Sequence, residues 1–198
     1  MILTQTLLIF IRNPQLGKVK TRLARTVGDT EALRVYQILL EKTRVAAQGV
    51  RAERWLFYSD FVEKNDAWPE ADFFKKKQAD GDLGQRMEQA FRTAFEAGAS
   101  KAVIIGSDCP ELTGEMLQKA FDALDETDFV LGPVPDGGYY LLGMKGLEAA
   151  VFRGIEWSTE RVRTLTLEKI RAAGKSCTLL PELSDVDTET DWQAFQPL

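Results

Sequence analysis

The sequence contains no histidine. That absence removes several mechanisms at once. A Ser-His-Asp or Cys-His nucleophile cannot be assembled within one subunit, and histidine-ligated zinc hydrolysis is excluded. Cysteine is scarce too. Cys109 and Cys177 lie far apart and neither has a Cys-x-x-Cys partner, which disfavours a thiolate zinc site. A surplus of positive charge is lacking: the net charge is −5, so no polymeric nucleic-acid partner is expected. Near the start, the apolar stretch from Thr6 to Ile11 is too short to span a bilayer. It has no positive leader and no small-residue cleavage site, so the expected location is the cytoplasm, with no membrane span. The chemistry left to this chain runs on carboxylates, lysines, arginines, hydroxyls, backbone amides and metal ions.

The 198 residues are 44% hydrophobic and 28% charged, an ordinary balance for one folded unit with a sizeable core. No repeat, low-complexity tract or linker interrupts the chain, so residues 1–198 read as a single domain. Strands are predicted at Leu7–Ile11, Trp55–Tyr58, Ala102–Ile105, Phe129–Leu131, Tyr139–Leu142 and Ser176–Leu180, with a weaker one at Phe73–Phe74 and the lysines that follow. Helices are predicted at Thr30–Val45, Asp82–Ala97, Thr113–Leu124 and Ser158–Ala172. A short final helix follows the capping-box spacing of Thr188 and Asp191. The alternation predicts an α/β sandwich around a mostly parallel sheet.

Five segments carry chemistry-bearing residues at the ends of these elements. Arg12, Lys18, Lys20 and Arg22 place four cations in eleven residues behind the first strand. Such a loop suits a polyphosphate, with lysine charge, arginine forks and free amides; the plain alternative is a solvated basic loop. It is not a P-loop, because Arg12 stands where the first glycine belongs and Val19 where the metal-binding hydroxyl belongs. Gly81 and Asp82 open a helix, where Asp82 serves as N-cap or the glycine lets a nucleoside approach the backbone. Asp108 follows the run Ala102–Ile105 and is either a turn cap or a ligand that holds a divalent metal against phosphate oxygens. Asp136, Gly137 and Gly138 form a turn, or the floor for an acceptor. Asp185 and Asp187 flank Val186, so in extended chain they present two carboxylates on one side. Two such acids repel unless a cation or an arginine lies between them. The alternative is an acidic surface loop with a Thr188 cap.

Together these segments resemble a known family. Phe10-x-Arg12-x-Pro14, Gly17-x-Val19-Lys20-Thr21-Arg22-Leu23, Gly81-Asp82-Leu83-Gly84-x-Arg86-Met87, Gly106-Ser107-Asp108-x-Pro110, Pro133-x-x-Asp136-Gly137-Gly138-Tyr139-Tyr140 and Asp185-x-Asp187-Thr188 occur in the order seen in small bacterial glycosyltransferase-like proteins. Those proteins belong to the nucleotide-diphospho-sugar transferase superfamily, the GT-A fold. The chain also resembles the guanylyltransferases of coenzyme F420 and molybdenum-cofactor synthesis.

The resemblance implies a three-layer α/β sandwich and a metal-dependent transferase. Its partners would be a nucleoside triphosphate or a nucleotide sugar and a small-molecule acceptor, and its cofactor Mg2+ or Mn2+. It implies that Arg12, Lys18, Lys20 and Arg22 grip phosphates, with Lys18 and Arg22 stabilising charge in the reaction. Gly81 and Asp82 would flank the nucleoside. Asp136, Gly137 and Gly138 would meet the acceptor, with Asp136 as the available base. Asp108, Asp185 and Asp187 would bind the metal. Two departures stand out: no Gly-rich loop follows the first strand, and Pro110 replaces the second acid of an Asp-x-Asp pair. A non-catalytic nucleotide binder on a degenerate transferase fold is the alternative.

Overall fold

The computed structural model describes residues 4–195. Seven strands join one sheet in the order β3-β2-β1-β4-β6-β5-β7. They are β1 (Thr4–Ile11), β2 (Glu53–Tyr58), β3 (Phe74–Lys77), β4 (Ala99–Ile105), β5 (Phe129–Pro133), β6 (Tyr139–Met144) and β7 (Cys177–Leu179). Every pairing is parallel except those of β6, which runs antiparallel between β4 and β5. The helices are α1 (Thr21–Val27), α2 (Asp29–Gln48), α3 (Leu83–Glu96), α4 (Gly114–Glu126), α5 (Val162–Ala172) and α6 (Glu189–Phe195). Among the described residues, no helix is long and apolar enough to cross a membrane. The α/β sandwich expected from the sequence is therefore observed.

The central strands are apolar on both faces because helices cover both. Leu7, Ile9 and Ile11 of β1 join Tyr36, Leu117 and Phe121 in one core layer. Leu8, one residue out of phase, joins Met87, Phe91 and Phe152 in the other. A third cluster gathers Leu23, Ala32, Val35, Leu39, Val186 and Trp192. It ties α1, α2 and α6 to the segment that carries Asp185 and Asp187.

Most local signals behave as expected. Asp82 caps α3 in a reciprocal box with Gln85, and Thr113 caps α4. Thr188 and Asp191 exchange the corresponding bonds before α6. Two elements differ. α1 has one buried residue, Leu23, so it shows no apolar period by which a sequence reading would find it. α5 begins at Val162 rather than Ser158, which itself has a left-handed φ of 65° and so lies outside the helix.

Site-forming loops cluster where β1 parts company with its neighbours. β1 pairs with β2 on one side and β4 on the other, so the chain leaves β1 and β4 on the same edge of the sheet. This is a topological switch point, where open α/β sheets leave a crevice at the carboxyl ends of the strands.

Candidate active site

A cavity of about 860 Å³ opens at that crevice. Its wall combines the loop after β1 with Ser107 and Asp108 behind β4, and with Asp185 and Asp187 before α6. Tyr36 of α2 holds the first two loops together. Its hydroxyl accepts from the Arg12 N–H at 2.8 Å and lies 3.3 Å from the Ser107 hydroxyl. It also meets the Arg12 carbonyl at 3.1 Å. Burial pushes the Tyr36 phenol up to about 12, so it acts as a neutral clamp.

Lys20 occupies the middle of the acidic group. Its ammonium lies 2.6 Å from Asp108 Oδ1 and 3.3 Å from Asp187 Oδ1. Its side chain is 5% exposed, whereas those of Asp108 and Asp187 are 46% and 41% exposed. Arg22 adds a second contact to Asp187 at 3.2 Å. The chain itself thus supplies a cation between Asp108 and Asp187, and a second one on Asp187. Asp185 sits deeper. Burial first, then the charge of Asp108, raises its carboxyl to about 7, with Asp187 and Asp136 pushing the same way and Lys20 opposing them.

Gln78 is the second organiser of the wall. Its buried amide donates to the carbonyls of Ile11 and Phe57, both at 3.1 Å, and accepts from Arg86 at 3.1 Å. It knits β1 to β2 and aims the Arg86 guanidinium along the wall of the cavity. Asn13 fixes the adjoining loop: its amide donates to the Phe61 carbonyl at 2.9 Å and accepts from the Asp60 N–H at 3.0 Å. Sequence reasoning missed Tyr36, Gln78 and Arg86 as site residues. Tyr36 lies inside the predicted helix Thr30–Val45, and Arg86 inside the predicted helix Asp82–Ala97.

Arg12, Lys18, Lys20 and Arg22 all line the cavity, as do Asp108, Asp185 and Asp187. Asp108 caps no helix, since Thr113 performs that task for α4. The remaining segments have defined local roles in the fold. Asp82, preceded by Gly81, caps α3, and Leu83, Arg86 and Met87 of the same helix line the cavity wall. Asp136 accepts from the Gly138 N–H at 2.9 Å, which makes it a turn residue. Gly137 has a φ of 89°, and a Cβ there would stand 2.0 Å from the Glu160 carbonyl oxygen, so this turn packs against the Glu160 backbone. Tyr139 and Tyr140, just beyond, line the cavity. Cys109 is buried and its thiol is pushed up to about 12, mainly by burial, so it is no nucleophile.

The donor set suits a hard divalent ion, being three carboxylates. Among the described residues, however, no three His, Cys, Asp or Glu side chains are arranged to hold one as they stand. The cluster is closed around the Lys20 ammonium.

Residues 42–159 match the family described as "Uncharacterized protein conserved in bacteria (DUF2064)". The chain belongs to this family. The match takes in α3, β4 with Asp108, and the turn at Asp136. A candidate nucleotide-diphospho-sugar transferase from Desulfovibrio desulfuricans G20 is 33% identical to this DUF2064 protein. It superposes with a TM-score of 0.90, over 98% of this chain and 86% of that one.

More distant structures share the fold alone. Rv0371c of Mycobacterium tuberculosis H37Rv, solved in complex with manganese, is 13% identical with a TM-score of 0.53, over 96% of this chain and 97% of that one. The 2-C-methyl-D-erythritol 4-phosphate cytidylyltransferase of Thermus thermophilus is 15% identical with a TM-score of 0.54, over 98% and 97%. The DUF2064 protein thus has the nucleotide-diphospho-sugar transferase fold. No protein of curated function matches its sequence.

Proposed function

We propose that this protein is a transferase that uses a nucleotide donor, and that the donor's phosphates bind between the loop after β1 and the carboxylates behind β4. One observation carries this: the cations of Arg12, Lys18 and Arg22 and the carboxylates of Asp108, Asp185 and Asp187 line the same cavity at the switch point of the sheet. Fixed cations beside fixed acids suit phosphate transfer, because negative charge grows on phosphate oxygens as the donor bond breaks. Lys18 and Arg22 would stabilise that charge, while Arg12, held through its backbone by Tyr36, would orient the phosphates. A bound Mg2+ or Mn2+ would be held by Asp108, Asp185 and Asp187 and would neutralise phosphate charge.

The favoured reaction is nucleotidyl transfer to a small acceptor that carries a phosphate or carboxylate. Such an acceptor is already a nucleophile and needs no general base. That agrees with a chain without histidine and with an Asp136 engaged in its own turn. Glycosyl transfer from a nucleotide sugar is the second reading, favoured by the kinship with the Desulfovibrio protein. The finer relation to guanylyltransferases of cofactor synthesis, and a cytoplasmic setting with both cysteines free, belong to the same proposal.

The test is a panel of nucleoside triphosphates and nucleotide sugars, each scored for thermal stabilisation with and without Mg2+ and then for turnover with small acid acceptors. Pyrophosphate release identifies nucleotidyl transfer, and nucleoside diphosphate release identifies glycosyl transfer. Stabilisation that is independent of metal and accompanied by no turnover would favour the non-catalytic binder instead.

A further inference from the structure

We propose that the Lys20 ammonium is the resident cation of the carboxylate cluster, so that the ligand-free protein holds no divalent ion and takes one up only together with a nucleotide's phosphates. This rests on the assignment of Asp108, Asp185 and Asp187 as metal donors. Lys20 bonds Asp108 at 2.6 Å and Asp187 at 3.3 Å, and its side chain is far more buried than either of theirs. A buried ammonium is tolerated only where it is paired, so those two acids and Lys20 depend on one another. A divalent ion at the same oxygens would stand against the ammonium, and like charges at such separations exclude one another.

The backbone commits Lys20 to this place. It adopts φ 47° and ψ 45° at the entry to α1, a conformation a non-glycine residue keeps only when its surroundings enforce it. Its carbonyl accepts the first helical bond from Ala24 at 2.8 Å. The side chain therefore leaves a fixed point and runs inward to the acids. Arriving phosphates offer the ammonium a second anionic partner. They also offer a divalent ion additional oxygen ligands, which the carboxylates alone do not provide. The exchange moves Lys20 from acid to phosphate as the ion enters.

Equilibrium dialysis of Mn2+ against nucleotide-free protein tests this directly. The wild type should show no saturable uptake below about 1 mM. Lys20→Met should bind one Mn2+ at least about tenfold more tightly, a gain of ~1.4 kcal/mol. Lys20→Gly should behave likewise, and it adopts the positive φ without strain, so a folding failure of the methionine variant is covered. Adding Asp108→Ala to Lys20→Met should erase the gain. A wild type that binds Mn2+ alone as tightly as either variant would overturn the role of Lys20.

A second arm adds an equimolar mixture of ATP, GTP, CTP and UTP to the wild type. Protein-bound Mn2+ that appears only with nucleotide, combined with uptake by the Lys20 variants alone, supports the exchange. Uptake with nucleotide but none by the variants alone overturns the exchange and leaves the metal donors standing. No uptake in any arm overturns the metal donors themselves.

Discussion

The backbone N–H of Val186 donates to the carbonyl oxygen of Asp108 across 2.9 Å. This bond joins the loop behind β4 to the segment before α6. With the Val186 side chain buried against Leu23, Val35 and Trp192, the flanking Asp185 and Asp187 are held beside Asp108. An acid left isolated by Pro110 thereby gains two neighbours from a remote part of the chain.

Val186→Ala should loosen that arrangement. Removing a buried branched side chain costs about 1–3 kcal/mol in large-to-small series. Denaturant unfolding should show that loss, and the affinity for nucleotide in the presence of Mg2+ should fall with it. Unchanged affinity would mean that Asp185 and Asp187 are positioned by something other than the Val186 anchor.

Lys18→Ala should weaken a nucleoside triphosphate by roughly 10- to 100-fold, the cost of one charge-assisted contact of about 1.5–3 kcal/mol. A nucleoside monophosphate should be affected much less. Calorimetric titration of both ligands checks this, and an equal loss for the two would reject the phosphate-clamp role.

Tyr36→Phe should destabilise the fold by about 1–3 kcal/mol, because the Arg12 N–H loses its partner in a partly buried setting. Phosphate binding should weaken as well, since the loops after β1 and β4 are no longer tied together. Urea denaturation and nucleotide titration of the same variant separate the two effects.

Gly137→Ala should be among the more damaging single changes. The new Cβ meets the backbone at Glu160, and the residue must also keep a φ of 89°. Overpacking and left-handed strain together cost about 2–4 kcal/mol, readable as a lowered denaturation midpoint.

Acid sensitivity should centre in part on Asp128. The Ser176 N–H and hydroxyl donate to its carboxylate, and with Lys175 they lower it from 3.8 to about 2. Its folded value lies below its unfolded one, so its contribution is present above about pH 4 and is lost as the pH falls towards 2. Asp128→Asn should flatten stability across that window, and denaturation followed from pH 5 to pH 2 checks it.

Much of the fold is legible in the chain. Uninterrupted apolar runs such as Ala102–Ile105 mark strands buried on both faces, and the capping residues Asp82, Thr113 and Thr188 mark helix starts. The grouping of four cations, and the period-two placement of Asp185 and Asp187 around Val186, point to the residues that line the cavity. What the chain conceals is pairing across distance. Nothing near Lys20 in sequence shows that its ammonium reaches Asp108 and Asp187 rather than solvent. Nothing near Gly137 shows that Glu160 fills the space its missing side chain leaves. Tyr36 conceals a loop clamp because its ring packs in the core while only its hydroxyl reaches the site.

The most direct measurement is nucleotide affinity of Asp108→Ala by calorimetry, with and without Mg2+, on protein shown to be folded by circular dichroism. The account predicts that the Mg2+-dependent part of the affinity disappears. The Mg2+-free part should persist or strengthen, because Lys20 is released from Asp108 towards the phosphates. A folded variant that keeps its full Mg2+-dependent affinity would contradict the assignment of Asp108 to the metal and phosphate site.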